Sequence, residues 1–260
     1  MGLRAGLFNY KMRYLFISPH ADDIALSCAG LVQQLHSKGH HCSILNIFNG
    51  FYPWDTLDSK VLIMYMKEDM GIPETQITSC ACEKFVQARN REDMKAQKMM
   101  GCAGGALNLP DAIFRRDGNH FFYPTEEALF ACPHLSDHIE AEVLEQLEKI
   151  KSLYDIFVFP LGVGNHVDHF ITHNIGLTWM RERDVLFYYE YPYFAEDAII
   201  KTNQYSVYVN IEEQHLHKIR AIEQYQTQLA GLFGSVELSR VVPAYEIYTG
   251  IEKEIKKYLG

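Results

Sequence analysis

Residues 14–23 read YLFISPHADD, and this stretch decides how the rest of the chain is organised. Its first four residues are apolar and end at a Ser-Pro pair, which is typical of a buried strand in a parallel sheet. The residues that follow place one imidazole, His20, and two carboxylates, Asp22 and Asp23, within four positions. Side chains at the carboxyl end of a strand in an α/β sheet project into the crevice where ligands bind. We therefore expect this stretch to form one wall of a functional site.

Two explanations account for the titratable groups that crowd the end of this strand. In the first, His20 and Asp23 bind a divalent metal ion while Asp22 stays free to transfer protons. In the second, the two carboxylates cap the helix that begins near Ile24, because acidic residues are favoured at helix N-termini. The stretch by itself leaves both explanations open.

A second stretch repeats this layout in the middle of the chain. The apolar run 155–159 is followed by a glycine-containing turn and then by His166, Asp168 and His169. Two such clusters at the carboxyl ends of two strands can meet in one crevice. Together they would complete a tetrahedral metal site with one position open for water.

With both motifs identified, the sequence resembles the zinc-dependent N-acetylglucosaminyl-phosphatidylinositol de-N-acetylase family, also called PIG-L or LmbE-like. The segments HADD at 20–23 and HVDH at 166–169 resemble the paired His-Pro-Asp-Asp and His-x-Asp-His motifs of that family. The similarity extends from about Tyr14 to Phe233. Its weaker elements are RNRE at 89–92 with the later Ala96 and Gly101, and Lys218 with YQTQ at 225–228.

The resemblance implies a fold and a set of residue roles. The implied fold is a Rossmann-like three-layer α/β sandwich with a mostly parallel sheet and the site at the carboxyl ends of its strands. The implied roles are, in chain order, His20 and Asp23 as zinc ligands with Asp22 between them as the general base, His166 with Asp168 as the pair that stabilises the developing oxyanion, and His169 as the third zinc ligand. The sequence departs from the family pattern at Ala21, where Pro is usual, and at Ile24, where Glu is common. These departures concern the substrate subgroup, since neither residue belongs to the reacting set.

Two further residues are candidates for substrate binding. Arg89 lies on a predicted helix, where its planar guanidinium could hold a sugar hydroxyl or a phosphate, or could instead pair with Glu92. Glu190 ends the strongly β-prone run 185–191, so it is a candidate to line the crevice. The aromatic-rich segment 49–82 is either a substrate-facing insertion with a short helix or a cover over the sheet edge.

The order of apolar runs predicts alternating strands and helices, which is typical of parallel βαβ units. Residues 24–38 have helical spacing of apolar side chains and precede the strand-like run 42–48. Gly-rich residues 101–105 indicate a helix stop and a turn. The other predicted elements are helices over 83–100, 135–151 with Ser136 as its cap, 170–183 and 211–229, and a strand over 205–209.

Composition sets outer bounds on domain number and partners. The chain has 260 residues, of which 48% are hydrophobic and 22% charged, and it shows no linker or repeat, so we expect a single domain over 1–260. Its net charge of -9 argues against nucleic acid or an anionic membrane surface as a main partner. The chain has six cysteines but no small disulfide-dense design or secretory signal, which favours reduced thiols and a cytoplasmic location. It shows no apolar run of roughly 18 residues, so no membrane span is expected. The sequence leaves a homo-oligomer open.

These observations predict a hydrolase that uses a metal-activated water. The family resemblance specifies a zinc-dependent N-deacetylase acting on an N-acetylated amino sugar or a sugar-containing small molecule, with Zn²⁺ as cofactor. A site of two histidines and one carboxylate also suits Fe²⁺. Spacing alone would equally suit a metal-dependent esterase or phosphoesterase. A non-catalytic protein that binds a metal or a sugar is a third alternative, although the presence of Asp22 argues against it.

Overall fold

A seven-stranded sheet forms the centre of the structure, a computed structural model that describes residues 11–195 and 205–259. The strand order is β3-β2-β1-β6-β7-β9-β8. Neighbouring strands from β3 through β7 are parallel, and β9 runs antiparallel to both β7 and β8. The strands of this sheet are β1 Arg13–Ser18, β2 His41–Asn46, β3 Ala103–Ala106, β6 Ile156–Pro160, β7 Asp184–Tyr188, β8 Tyr205–Asn210 and β9 Tyr245–Gly250. A separate small hairpin consists of β4 Arg116–Asp117 and β5 His120–Phe121.

Helices connect these strands and cover the sheet. Ten α-helices lie within the described ranges. They are α1 Asp23–Ser37, α2 Lys60–Met70, α3 Ser79–Met100, α4 Glu126–Leu129, α5 Ile139–Glu148, α6 Val167–Trp179, α7 His215–Ile222, α8 Gln226–Phe233, α9 Leu238–Val241 and α10 Glu252–Leu259. Short 3-10 turns occur at Glu74–Gln76, Ala112–Phe114, Lys151–Leu153, Tyr193–Ala195 and Glu212–Gln214.

The two faces of the sheet bury two separate apolar clusters. Alternate side chains of a strand point to opposite faces, so Leu15 and Ile17 of β1 join one cluster while Tyr14 and Phe16 join the other. Helices α2, α5 and α6 contribute to the first cluster, whereas α1 and α7 contribute to the second. This arrangement of helices, sheet and helices confirms the predicted three-layer α/β sandwich with a mostly parallel sheet.

The order of the strands places a ligand crevice between β1 and β6. The chain runs from β1 outward through β2 to β3, and then returns to the other side of β1 to form β6 and β7. At such a reversal the connections leave the carboxyl ends of adjacent strands in opposite directions and leave a gap between them. The two predicted motifs follow β1 and β6, so they lie at the two sides of this gap.

A buried ion pair joins elements that are far apart in sequence. Lys218 Nζ on α7 lies 2.9 Å from Glu246 Oε1 on β9, and both side chains are almost fully buried. The same carboxylate accepts hydrogen bonds from the backbone N–H groups of Gly30 and Leu31 in α1. Lys218, the late lysine of the family pattern, therefore holds α1, α7 and β9 together.

Several boundaries differ from the sequence predictions. The predicted helix over 211–229 is two helices, α7 and α8, because Tyr225 leaves the helical conformation. Its hydroxyl lies 2.8 Å from both Ala21 O and Asp93 Oδ1, within hydrogen-bond distance of each. Ser136 does not cap α5; the carboxylate of Asp137 accepts the hydrogen bond from the N–H of Ile139 instead.

The glycine-rich segment after α3 also differs from the prediction. Gly101 does end α3, in a left-handed conformation, but 103–106 forms strand β3 rather than a turn. A Cβ atom on Gly104 would lie 1.5 Å from Gln97 Oε1, so a larger residue there would require the Gln97 side chain to move. Tertiary pairing with β2 therefore overrides the local turn preference.

The cysteines and the helices bear on two expectations from composition, reduced thiols and no membrane-spanning helix. All six cysteines are free thiols, and Cys28, Cys42 and Cys82 are buried. Among the residues that the structure describes, no helix combines the length and the apolar character that crossing a bilayer requires.

Candidate active site and metal centre

The loop after β1 presents the two predicted metal donors, His20 and Asp23, and one separate carboxylate, Asp22. Asp23 begins α1 and folds back, so that its Oδ2 accepts a hydrogen bond of 2.7 Å from the backbone N–H of His20. Asp22 occupies the N-cap position of α1 but makes no capping hydrogen bond with its side chain. Helix capping therefore does not explain this pair of carboxylates.

The loop after β6 bends sharply before α6 begins. Gly162, Gly164 and Asn165 all have positive φ angles, so the chain reverses within four residues. His166 is the N-cap of α6, and its Nδ1 accepts a hydrogen bond of 3.2 Å from the backbone N–H of Asp168. Asp168 and His169 then lie in the first turn of α6.

The two loops bring the three predicted metal ligands together. His20 Nδ1 and His169 Nε2 are 3.2 Å apart, and His169 Nε2 is 3.4 Å from Asp23 Oδ1. The closest approach of His20 Nδ1 to Asp23 is 3.8 Å, and it is to the other carboxylate oxygen, Oδ2. Donors around a tetrahedral zinc ion are about 3.2–3.6 Å apart, given metal–ligand distances of about 2.0–2.2 Å. Two of the three distances fall in this range and the third is slightly longer, so a zinc-sized ion would fit with a small adjustment of Asp23.

Outer hydrogen bonds orient both imidazoles toward this centre. Asp168 Oδ2 lies 3.1 Å from His20 Nε2, and Glu190 Oε1 lies 3.1 Å from His169 Nδ1. Each carboxylate accepts a hydrogen bond from the N–H of the ring nitrogen that faces away, which leaves the inward nitrogen with a free lone pair. Metal-binding histidines commonly have such carboxylate partners.

The placement of Asp168 corrects its predicted partner. Its carboxylate accepts hydrogen bonds from His20, from Arg115 Nη1 and from the backbone N–H of Ala112, whereas only its backbone contacts His166. The side chain of Asp168 therefore supports His20, a predicted metal ligand, and does not hold His166 as a charged pair. Arg115, which belongs to no recognisable motif, neutralises this buried carboxylate.

Glu190 also differs from its predicted role as a substrate contact. It is 1% exposed and lies behind His169, away from the cavity. Its two oxygens accept hydrogen bonds of 2.6 and 3.1 Å from the backbone N–H groups of Gly162 and Val163. It therefore fixes the β6 loop and the ring of His169 at the same time.

Within residues 11–195 and 205–259, two other groups of side chains could also hold an ion. They are His20 with His166 and His169, and His20 with Asp111 and Asp168, each with ligand atoms within 4.8 Å of one another. Asp168 is already paired with Arg115, and His166 Nδ1 already accepts a backbone hydrogen bond. Asp111 is a cavity residue that the sequence reasoning missed, because no motif spacing connects it to the histidines.

Charge in the site favours a cation among the imidazoles. Burial alone would lower the pKa of His20, but the carboxylates of Asp111, Asp168 and Asp23 outweigh it and raise the pKa to about 9. Burial also lowers the pKa of His169, but Asp23 and Glu190 outweigh this effect, so its pKa is raised as well. A centre that stabilises protons on both rings in this way would equally stabilise a divalent ion in their place.

The pKa of His166 shifts in the opposite direction. Burial and the nearby ring of His20 lower its pKa well below the usual value, so its imidazole is neutral. Since Nδ1 accepts the Asp168 hydrogen bond, the proton of the neutral ring lies on Nε2. The prediction that Asp168 keeps His166 charged is therefore wrong, although His166 lines the cavity with a hydrogen-bond donor.

Asp22 is held from the far side of the cavity by α8. Gln228 Nε2 donates a hydrogen bond of 2.9 Å to Asp22 Oδ2. The start of α8 is fixed in turn by Glu92, whose carboxylate accepts hydrogen bonds from the backbone N–H and the hydroxyl of Thr227. The resemblance to YQTQ at 225–228 and RNRE at 89–92 thus marks residues that support Asp22.

The donors and Asp22 open into one cavity of about 180 Å³. Arg89 of α3 lines it, with its guanidinium 5.4 Å from the centre of the Phe85 ring. Tyr65 and Glu68 of α2 line it as well, so the segment 49–82 does face the cavity. The same segment also covers the sheet with buried Trp54. Both explanations of this segment are thus partly correct.

Three further histidines, His173, His134 and His120, lie outside the centre. His173, one turn after His169, packs its ring 4.9 Å from that of Phe187, and its Nδ1 lies 3.1 Å from Pro160 O. His134 stacks on Phe122, and His120 is exposed on the β4–β5 hairpin.

Replacing Glu190 by glutamine tests the outer support of the centre. The amide keeps the size of the side chain but removes the charge that orients His169, so we expect metal affinity to fall about 10–100-fold. Competition with a fluorescent chelator measures this affinity. Glu213→Gln, an exposed change outside the cavity, serves as the control. Equal affinities of the two variants would contradict the assigned role.

Comparisons with known proteins identify similar sequences and folds. The family model described as PIG-L, GlcNAc-PI de-N-acetylase, matches residues 15–180. A 2'-N-acetylparomamine deacetylase of Niallia circulans is 34% identical over 238 residues, which are 86% of this chain and 83% of that protein. A 2'-N-acetylparomamine deacetylase of Streptomyces fradiae is 26% identical over 193 residues, 72% of this chain and 60% of that protein.

The fold is also similar to solved structures. A deacetylase from the teicoplanin biosynthesis pathway superposes with a TM-score of 0.74 at 21% identity, covering 91% of this chain and 96% of that one. At this level of identity the match supports the fold alone, and it agrees with the three-layer arrangement described above.

Proposed function

The chain belongs to the PIG-L family, described as GlcNAc-PI de-N-acetylase, and from this premise we propose that it is a zinc-dependent hydrolase that removes the acetyl group from an N-acetylated amino sugar or a sugar-containing small molecule. The observation that carries this proposal is the convergence of His20, Asp23 and His169 on one point, next to a carboxylate, Asp22, that is not needed as a ligand. Metal-assisted amide hydrolysis combines these two functions, a metal that activates water and an independent base.

The three donors would hold the metal in the tetrahedral arrangement that their spacing fits. A bound zinc ion supplies polarisation of the acetyl carbonyl and lowers the pKa of water to about 7. Fe²⁺ suits the same two histidines and one carboxylate.

Asp22 acts as the base in this proposal. Its carboxylate lines the cavity beside Asp23, and the hydrogen bond from Gln228 engages only Oδ2, so Oδ1 is available for a proton. Asp22 would take a proton from the attacking water and donate it to the departing amine nitrogen when the C–N bond breaks. Acetate and the free amino sugar are then the two products.

His166 would stabilise the negative charge that develops on the acetyl oxygen. Its neutral ring donates through Nε2, because Nδ1 already accepts the backbone hydrogen bond of Asp168. A neutral donor suits this role because a second full positive charge beside the metal would have to be neutralised elsewhere. Removing one oxyanion donor of this kind typically costs about 10²–10³ in kcat.

Release of acetate from N-acetylglucosamine derivatives, with and without a chelator, tests the proposal. We expect turnover by the metal-loaded protein, loss of turnover in the chelator, and recovery on addition of Zn²⁺ or Fe²⁺. Matched sugar acetate esters and sugar phosphates are the comparison substrates. Hydrolysis of the esters or phosphates without hydrolysis of the amides would replace the proposal by the esterase or phosphoesterase alternative. Stoichiometric metal without any turnover would instead indicate a binding protein.

A further inference from the structure

We propose that the substrate is a cationic amino sugar and that Glu68, at the mouth of the active-site cavity, binds an ammonium group in the part of the substrate beyond the scissile acetamide. This inference rests on the proposed deacetylase function, and it specifies the substrate class of the same site. It concerns a residue outside both His/Asp motifs.

The charge of the cavity wall is the first support. Among the residues that the structure describes, four carboxylates, those of Asp22, Asp23, Glu68 and Asp111, line the cavity against a single guanidinium, that of Arg89. A divalent ion at the metal centre would neutralise two of these negative charges, and the wall would still be negative. Such a wall attracts a cationic ligand and repels an anionic one.

Glu68 differs from the other three carboxylates in having no partner in the protein. Asp22 accepts a hydrogen bond from Gln228, Asp23 accepts one from the N–H of His20, and Asp111 accepts one from the N–H of Ile113. Glu68 makes no hydrogen bond or ion pair with any residue in the part of the chain that the structure describes, and it is exposed. Its charge is therefore available to a ligand.

The position of Glu68 explains which part of the substrate it would meet. The cavity of about 180 Å³ is smaller than the roughly 300–1,000 Å³ of pockets that enclose a drug-sized ligand. A single sugar ring with its acetamide at the metal centre would largely fill it, and any further ring would lie at the mouth. Glu68 lies there, on the exposed part of α2, three residues after Tyr65 on the same face of the helix.

An ammonium group fits this surface better than other substituents. A carboxylate binds an ammonium through a charge-assisted hydrogen bond, and the Tyr65 ring offers an aromatic surface that a cation favours. A phosphate-bearing substituent would instead meet net negative charge.

Three probes that differ in charge test this inference. They are the methyl glycoside of N-acetylglucosamine, which is neutral, N-acetylglucosamine linked to a diamino-cyclitol with two free amines, which is cationic, and N-acetylglucosamine 1-phosphate, which is anionic. We expect wild-type kcat/KM for acetate release to be highest for the cationic probe and lowest for the anionic one. Glu68→Gln is expected to lower kcat/KM for the cationic probe about fivefold to tenfold, through KM, and to change the neutral probe less than twofold.

The control is Glu74→Gln, which removes an equally exposed carboxylate outside the cavity and should leave all three values unchanged. Equal effects of Glu68→Gln on the neutral and cationic probes, or a wild-type preference for the anionic probe, would overturn the inference while leaving the deacetylase function intact. Failure of the wild-type protein to release acetate from all three probes would overturn the proposed function, and this inference with it.

Discussion

Replacing Asp22 by asparagine is expected to lower kcat for acetate release about 10²–10⁴-fold while the metal content stays unchanged. Asparagine has nearly the same shape, and its side-chain oxygen can still accept the hydrogen bond from Gln228. It cannot take a proton from water, so only the acid–base function is lost. The donors His20, Asp23 and His169 remain in place, because none of them is held by Asp22.

Two measurements on the same preparation test this prediction. Steady-state acetate release gives kcat, and elemental analysis gives the metal content per chain. Asp117→Asn, on the exposed β4–β5 hairpin, is the control and should match the wild-type protein in both. If Asp22→Asn loses its metal, Asp22 is a ligand and its assignment as the base is wrong. If it keeps full activity, another residue acts as the base.

The sequence predicted the layout of the site because the main determinants are local. An apolar run that ends in a turn followed by titratable residues specifies a strand end, and two such patterns in a parallel α/β sheet meet at one edge. The first stretch alone offers His20 and Asp23 as ligands with Asp22 left free, as one of its two explanations. The family resemblance added His169, out of the titratable residues of the second stretch, as the third ligand.

Residues that act through non-local contacts were not predictable in the same way. Asp168 was assigned to His166, its neighbour in sequence, but its carboxylate reaches His20 in the other loop and Arg115 in a different segment. Glu190 was expected to face the crevice, yet two backbone N–H groups of the β6 loop draw it behind His169. In both cases the orientation of a carboxylate depends on donors that only the folded chain brings near.

The cavity residues outside the two His/Asp motifs were equally hard to predict from the sequence. Glu68 lies in the segment 49–82, whose sequence left open whether it faces the substrate or covers the sheet, and no motif spacing pointed to Asp111. The helical pattern over 211–229 also concealed the break at Tyr225 from which α8 begins. That break matters for the site, since Gln228, three residues later, contacts Asp22.

Replacing His169 by alanine is expected to abolish both metal binding and turnover. The change removes one of three donors and leaves Nδ1 of His20 and the carboxylate of Asp23, which together cannot complete a tetrahedral site. It also leaves Glu190 without its imidazole partner, so a nearly fully buried carboxylate keeps only its backbone hydrogen bonds. The loss of affinity should therefore exceed the roughly 10–100-fold expected for a change at an outer partner such as Glu190→Gln.

His173→Ala provides the matched control, because His173 lies one turn later on the same helix and contacts Pro160 O and Phe187 instead of the donor cluster. We expect this variant to keep its metal, and circular dichroism of both variants should show the same helical content. Full metal occupancy in His169→Ala would contradict the centre as described and would favour His20 with Asp111 and Asp168 as the ligands. Loss of metal from both variants would mean that α6 tolerates neither change. The affinity of Glu190→Gln would then remain the discriminating measurement, because that substitution retains the size of the side chain and lies on a different element.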